Sequence, residues 1–127
     1  MAKRRLLMID DDRETRRMVG RYVRHKGWEF IEAADGAEGI VAALRDSPDL
    51  ILLDIQLPDL EGWEVCRRLK AESLPEPIPI MMVSGARFSP EDKAHGLEIG
   101  ADDYLSKPFD LSELWLRVEA ILKARGG

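Results

Sequence analysis

Two unbroken apolar runs limit what this chain can fold into: "LILL" at 50–53 and "IMMV" at 80–83. A strand with one wet face alternates apolar and polar residues, whereas a strand covered on both faces reads as a continuous run. Both runs are too short for an ordinary helix and far too short for a membrane span. They therefore predict central strands of a sheet with helices on both sides. Three further segments complete the set, "RLLMID" (5–10), "WEFIEA" (28–33) and "ADDYLSK" (101–107), with the two runs extending to 49–54 and 78–84.

Helical stretches alternate with these strands. The first covers about 13–26, with Met18, Val19, Tyr22 and Val23 as its expected core side and Gly27 as its stop. The second covers about 36–46, with Ile40, Val41 and Leu44, and the third about 62–72, with Val65, Cys66 and Leu69. The fourth opens on Ser89-Pro90-Glu91-Asp92, a hydroxyl cap, a first-turn proline and acid in the first turn. Its apolar face is thin (Ala94, Leu97, Ile99) and is interrupted by Gly96, the pattern of a marginal surface helix or of an element that shifts at low cost. The fifth opens on Asp110 with Glu113 three residues later, the pattern of a capping box, and carries a stripe of Leu111, Leu114, Val118, Ile121 and Leu122. Five strands alternating with five helices imply right-handed crossovers and an α/β fold with a parallel sheet. At 127 residues the chain reads as a single domain, 1–127, with no repeat, linker or second domain in view.

Ligands of open parallel sheets bind beyond the carboxyl ends of the strands. Strand one ends in Asp10-Asp11-Asp12, strand three in Asp54, strand four in Ser84-Gly85 and strand five in Ser106-Lys107-Pro108. Gathered carboxylates need a cation, and oxygen ligands without His or Cys select Mg²⁺, Mn²⁺ or Ca²⁺, with Mg²⁺ favoured where water and phosphate complete the shell. An ammonium and a hydroxyl opposite the metal suit the remaining phosphate oxygens. Carboxylate nucleophiles do form aspartyl phosphates. Neither His25 nor His95 falls at a strand end, so no Ser-His-Asp arrangement is present. The net charge of −5 argues against nucleic acid as a partner. The four-residue apolar stretch of "MAKRRLLMIDDD" is too short for a signal peptide, which leaves a cytoplasmic setting and no membrane as the expectation.

The set "LLMIDDD", "DLILLDIQLPDLEGWEVCRRLK", "MMVSGA" and "GADDYLSKPF" resembles the receiver domain of two-component response regulators over essentially the whole chain. The resemblance implies a flavodoxin-like, doubly wound (βα)5 sheet in strand order 2-1-3-4-5. It makes Asp54 both the phosphoacceptor and a ligand of a Mg²⁺ site (Mn²⁺ as a substitute), with Asp11 as a direct ligand, Asp10 acting more often through water, and the Gln56 backbone carbonyl as a further ligand. Ser84 becomes the switch hydroxyl, Tyr104 the switch aromatic, and Lys107 the phosphate-pairing lysine, followed by Pro108 on a cis bond. Pro58 and Gly62 match the loop after the acceptor. Asp12 is a third acid that the pattern does not require, read as the cap of helix one. Gln56 and Ala86 fall where the family varies, so the phosphoryl lifetime is open. The implied partners are a sensor histidine kinase or phosphotransfer protein upstream and an unnamed output partner or domain downstream. The output face is helix four, strand five and helix five, and a phosphorylation-dependent dimer would use it too. The chain would be a signalling domain and not an enzyme in the ordinary sense, catalysing only its own phosphorylation and dephosphorylation.

Two rival readings stand beside this one. Asp10-x-Asp12, Ser84 and Lys107 imitate a Mg²⁺-dependent phosphohydrolase of the haloacid-dehalogenase type, which would leave Asp54 without a role. The other rival keeps the fold as a non-phosphorylated adaptor. Cys66 is expected in the core, His25 and His95 on the surface, and Trp63 packed near the acceptor loop. Leu116 lies about 140° around helix five from Leu111 at about 100° per residue, off the core stripe and on the implied output face.

Overall fold

The computed structural model describes residues 3–72, 77–85 and 89–126. The apolar runs become strands: β1 (Arg5–Ile9), β2 (Glu29–Ala33), β3 (Leu50–Asp54), β4 (Ile80–Ser84) and β5 (Asp103–Ser106), in the order β2-β1-β3-β4-β5. All pairings are parallel, with Leu6 opposite Leu50, Ile51 opposite Ile80, and Met82 opposite Tyr104. Both central runs are buried at every position, as continuous runs require.

Period-two alternation sends successive side chains to opposite faces. Leu7, Ile9, Ile51, Leu53, Ile80 and Met82 pack on one face with residues of α2 (Gly36–Asp46) and α3 (Gly62–Ala71). Leu6, Met8, Leu50, Leu52, Met81 and Val83 pack on the other with α1 (Arg13–His25) and α5 (Leu111–Ala124). The remaining helix is α4 (Pro90–Ile99).

Several core expectations change. Met18 is exposed, so α1 buries Val19, Gly20 and Val23. Val41 and Leu44 are exposed too, and α2 buries Gly36, Gly39, Ala42 and Ala43. This helix lies close on the sheet, so its inner face has room only for small residues and its larger ones turn outward. On α5 the expected stripe packs inward and Trp115 joins it, in edge contact with Tyr22 and Trp28. Asp110 occupies the N-cap of α5 but its side chain makes no capping hydrogen bond, so the anticipated capping box is not formed. The box does form at α4: the Asp92 amide donates to Ser89 Oγ (3.0 Å) and the Ser89 amide to Asp92 Oδ2 (2.9 Å). β5 begins two residues later than expected. Asp102 is held outside the strand, its amide on the Ile80 carbonyl and its carboxylate on the Ile80 amide, Lys70 and Arg125. Ala94 of α4 is exposed and Ile99 packs against the core edge. The Leu97 side chain, Ala86, Pro75 and Glu76 lie outside the described residues.

Candidate functional site

Because every strand runs the same way, all carboxyl ends share one edge of the sheet. The Asp10 amide continues the ladder by donating to the Ala33 carbonyl (3.1 Å), which fixes Asp10 as the first residue beyond β1. Asp54 is the last residue of β3 and pairs with Val83, one residue before Ser84. Ser84 pairs with Ser106, one residue before Lys107, and the Lys107 amide donates to the Ser84 carbonyl (2.7 Å). Register alone therefore brings Asp10, Asp54, Ser84 and Lys107 together.

Their side chains meet. Lys107 Nζ donates to Asp10 Oδ2 at 2.7 Å and to Asp54 Oδ2 at 3.1 Å. Asp10 and Asp54 are both buried, at 1% and 6% exposure, as is Ser84 at 6%, which is unusual for carboxylates and demands compensation. Asp10 Oδ1 accepts from the Asp12 amide (2.9 Å), Asp54 Oδ1 from the Gln56 amide (3.1 Å). Burial pushes the Asp54 carboxyl above its ordinary value, and the neighbouring charge of Asp10 adds to this against the pull of Gln56 and Lys107. Burial alone would lower Lys107, but its hydrogen bonds to Asp10 and Asp54 prevail and hold it raised, hence charged. One ammonium thus serves two buried carboxylates.

The exposed Asp11 completes an acidic group: one oxygen each from Asp10, Asp11 and Asp54 lie within 4.8 Å of one another. An all-oxygen set with excess negative charge suits Mg²⁺, whose bonds of about 2.1 Å put opposite ligands about 4.2 Å apart. The residues fit such an ion with modest side-chain adjustment.

Local anchors keep this geometry. Asp12 is the N-cap of α1, accepting from the Glu14 amide and the Thr15 hydroxyl, so it is a cap as expected. Its carboxylate is thereby engaged away from the DxD role that the phosphohydrolase reading needs. Arg16 Nη1 donates to the Asp10 carbonyl (2.7 Å) and its Nε pairs with Glu32, a support with no sequence signature. After Asp54 the chain turns back on itself. Gln56 bridges Glu61 and the Gly62 amide donates to the Ile55 carbonyl (2.7 Å). A Cβ on Gly62 would stand 2.3 Å from the Asp54 carbonyl oxygen, so only glycine closes this turn. The Lys107–Pro108 bond is cis.

Tyr104 lies toward α4. Its hydroxyl donates to the Lys93 carbonyl (2.9 Å), and its ring fills the space a Cβ on Gly96 would need, 2.2 Å from the hydroxyl oxygen. Cys66 is fully buried and its thiol is pushed up to about 11 by burial, which removes it from redox or nucleophilic chemistry. Trp63 packs at the core edge in edge contact with His95, itself exposed, as is His25. No described helix is long and apolar enough to cross a membrane.

Comparison with known proteins agrees with this geometry. The model of the response regulator receiver domain family matches residues 6–119. The transcriptional regulatory protein PrrA of Mycobacterium tuberculosis is 44% identical over 122 residues, 96% of this chain and 51% of that protein. The alkaline phosphatase synthesis transcriptional regulatory protein PhoP of Bacillus subtilis is 39% identical over 94% of this chain and 49% of that protein. The chain spans about half the length of the curated relatives it matches. Among solved structures, a CheY-like receiver domain protein from Methanospirillum hungatei superposes with a TM-score of 0.89 at 30% identity, covering 98% of each chain. A putative response regulator from Chloroflexus aurantiacus reaches 0.86 at 35% identity, covering 96% of this chain and 99% of that one.

Proposed function

The chain belongs to the response regulator receiver domain family, and from that premise we propose that it is a phosphoacceptor switch whose acceptor is Asp54. The observation that carries this reading is the Lys107 ammonium shared between the buried carboxylates of Asp10 and Asp54, with Asp11 alongside. An Asp54 oxygen attacks the phosphorus of a phosphohistidine on a histidine kinase or phosphotransfer protein. The P–N bond breaks, the imidazole leaves, and an acyl phosphate forms. Lys107 and the Ser84 hydroxyl hold the phosphoryl oxygens. Asp10, Asp11, Asp54 and the Gln56 carbonyl would hold Mg²⁺, or Mn²⁺ in its place, which supplies charge neutralisation for the transferring group.

Phosphorylation then acts on a pre-existing equilibrium. Ser84 draws toward the phosphoryl group, Tyr104 follows, and α4, β5 and α5 present the altered output face. Residues 1–127 act as one receiver unit in a cytoplasmic two-component pathway. The relatives named as transcriptional regulators support an output in transcription, exerted through a partner or a joined domain, and the net charge of −5 speaks against nucleic-acid binding by this unit itself. The phosphohydrolase reading is not favoured: it gives Asp54 no role and needs Asp12, which caps α1.

The test is acetyl phosphate with Mg²⁺, read by intact mass. The expected result is one phosphoryl addition, lost in Asp54→Asn and in EDTA. Its persistence in Asp54→Asn would overturn the assignment, and its absence from the wild type would favour the non-phosphorylated adaptor.

A further inference from the structure

We infer that Asp59 is a positioning residue for the metal half of the site, clamping the loop that carries Gln56 to the start of α2. The inference rests on the phosphoacceptor reading and names a residue that reading does not use. Asp59 Oδ1 accepts from the Gly36 amide (2.7 Å) and from the Leu60 amide (2.9 Å), and Oδ2 accepts from the Ala37 amide (2.9 Å). Gly36 and Ala37 open α2, whose own N-cap, Asp35, accepts only the later amide of Glu38 (2.8 Å). The two carboxylates therefore divide the first turn between them, and only that of Asp59 comes from another part of the chain.

The consequence lies five residues upstream of Asp59, at Asp54. The segment from Ile55 to Glu61 is tied at its base by the Gln56–Glu61 bridge and the Gly62 amide on the Ile55 carbonyl. Asp59 ties its tip. Without that tie the base bonds and the packing of Leu57 and Leu60 on the core remain, but the polar tip loosens, and with it the Gln56 peptide, whose amide holds Asp54 Oδ1. A metal site gains affinity when its ligands need not be ordered on binding, and outer contacts of this kind are worth roughly 10-fold or more in metal affinity. Asp59 is exposed, so its three amide bonds serve anchoring rather than relief of a buried charge.

Asp35 provides the control. Asp35→Ala weakens the same helix start without touching the loop. Mg²⁺ affinity of the full chain is measured by calorimetry, alongside melting temperature without metal and the acetyl phosphate rate as a function of Mg²⁺. The expected result for Asp59→Ala is a Mg²⁺ dissociation constant raised roughly 10-fold, a phosphorylation rate restored near the wild-type value at saturating Mg²⁺, and faster amide exchange at residues 56–60. Asp59→Asn, which keeps one acceptor oxygen and folds more readily, falls between. Asp35→Ala is expected to lower the melting temperature and leave the Mg²⁺ constant unchanged. If the Asp59 variants bind Mg²⁺ as tightly as the wild type, or if Asp35→Ala weakens it equally, Asp59 is a helix cap alone and the inference fails. If the wild type neither binds Mg²⁺ nor takes a phosphoryl group, the phosphoacceptor reading fails first.

Discussion

Two glycines stand beside the site, one in each half, and each is forced by a different kind of neighbour. On the metal side, Gly62 faces the Asp54 carbonyl oxygen and the Ile55 Cα, which are backbone and part of the sheet end. On the switch side, Gly96 faces the hydroxyl and ring edge of Tyr104, which is a side chain on a rotatable bond. The surroundings match. α3 buries Gly62, Val65, Cys66 and Leu69, whereas Gly96 is the buried residue of α4 among those described. β3 is buried throughout, and β5 is buried only at Leu105. The half that carries Asp54, the proposed acceptor, is built not to move. The half assigned to the output in the proposed switch is held by contacts that can be exchanged one for another, the ordinary condition for an element with two positions of similar free energy.

The same substitution in the two glycines should expose this difference. Gly62→Ala must displace backbone at Asp54, and overpacking of this kind costs about 1–3 kcal/mol, here at the upper end because the obstacle is backbone, read as a lowered urea midpoint with unchanged slope. A Gly62→Ala protein of wild-type stability would contradict the rigid assignment of that half. Gly96→Ala gains about 1 kcal/mol of helix propensity against the cost of moving one phenol, so net stability should change by less than about 1 kcal/mol. Its signature should instead be an altered near-ultraviolet spectrum from Tyr104 and a changed affinity for beryllofluoride with Mg²⁺. A large stability loss with an unchanged spectrum would show that the switch half is as fixed as the other. The smallest effect is expected at Leu116, 69% exposed on α5. Leu116→Glu should shift stability by no more than about 0.5 kcal/mol, while weakening self-association or partner capture of the phosphorylated protein in sedimentation. Unchanged association would remove Leu116 from the output face.

The sequence was most legible where one physical cause dominates. Runs such as Leu50–Leu53 admit few other interpretations, and their parallel order places Asp10, Asp54, Ser84 and Lys107 on one edge almost without further information. It was least legible where packing distance or a distant partner decides. Val41 and Leu44 have helical spacing, but α2 approaches the sheet too closely for them, and the Gly36, Gly39, Ala42 spacing was the available signal. Asp59 reads as one more polar residue in a turn, because its amide partners on α2 lie 23 and 22 residues earlier. Asp110 and Glu113 show the converse: a local pattern for a cap was present, but the capping bond was not.

Lys107 reaches back 97 residues to Asp10 and 53 to Asp54. In the order of synthesis, the carboxylates leave the ribosome long before the ammonium that balances them. A nascent chain ending within α4 holds four of the five strands together with Asp10, Asp11 and Asp54, yet lacks the Lys107 ammonium. Contacts of this separation form late, because they follow the closure of everything between them. On the proposed reading, competence to accept phosphate is thus tied to completion of the sheet, and a truncated or half-folded copy would be silent rather than wrongly switched on.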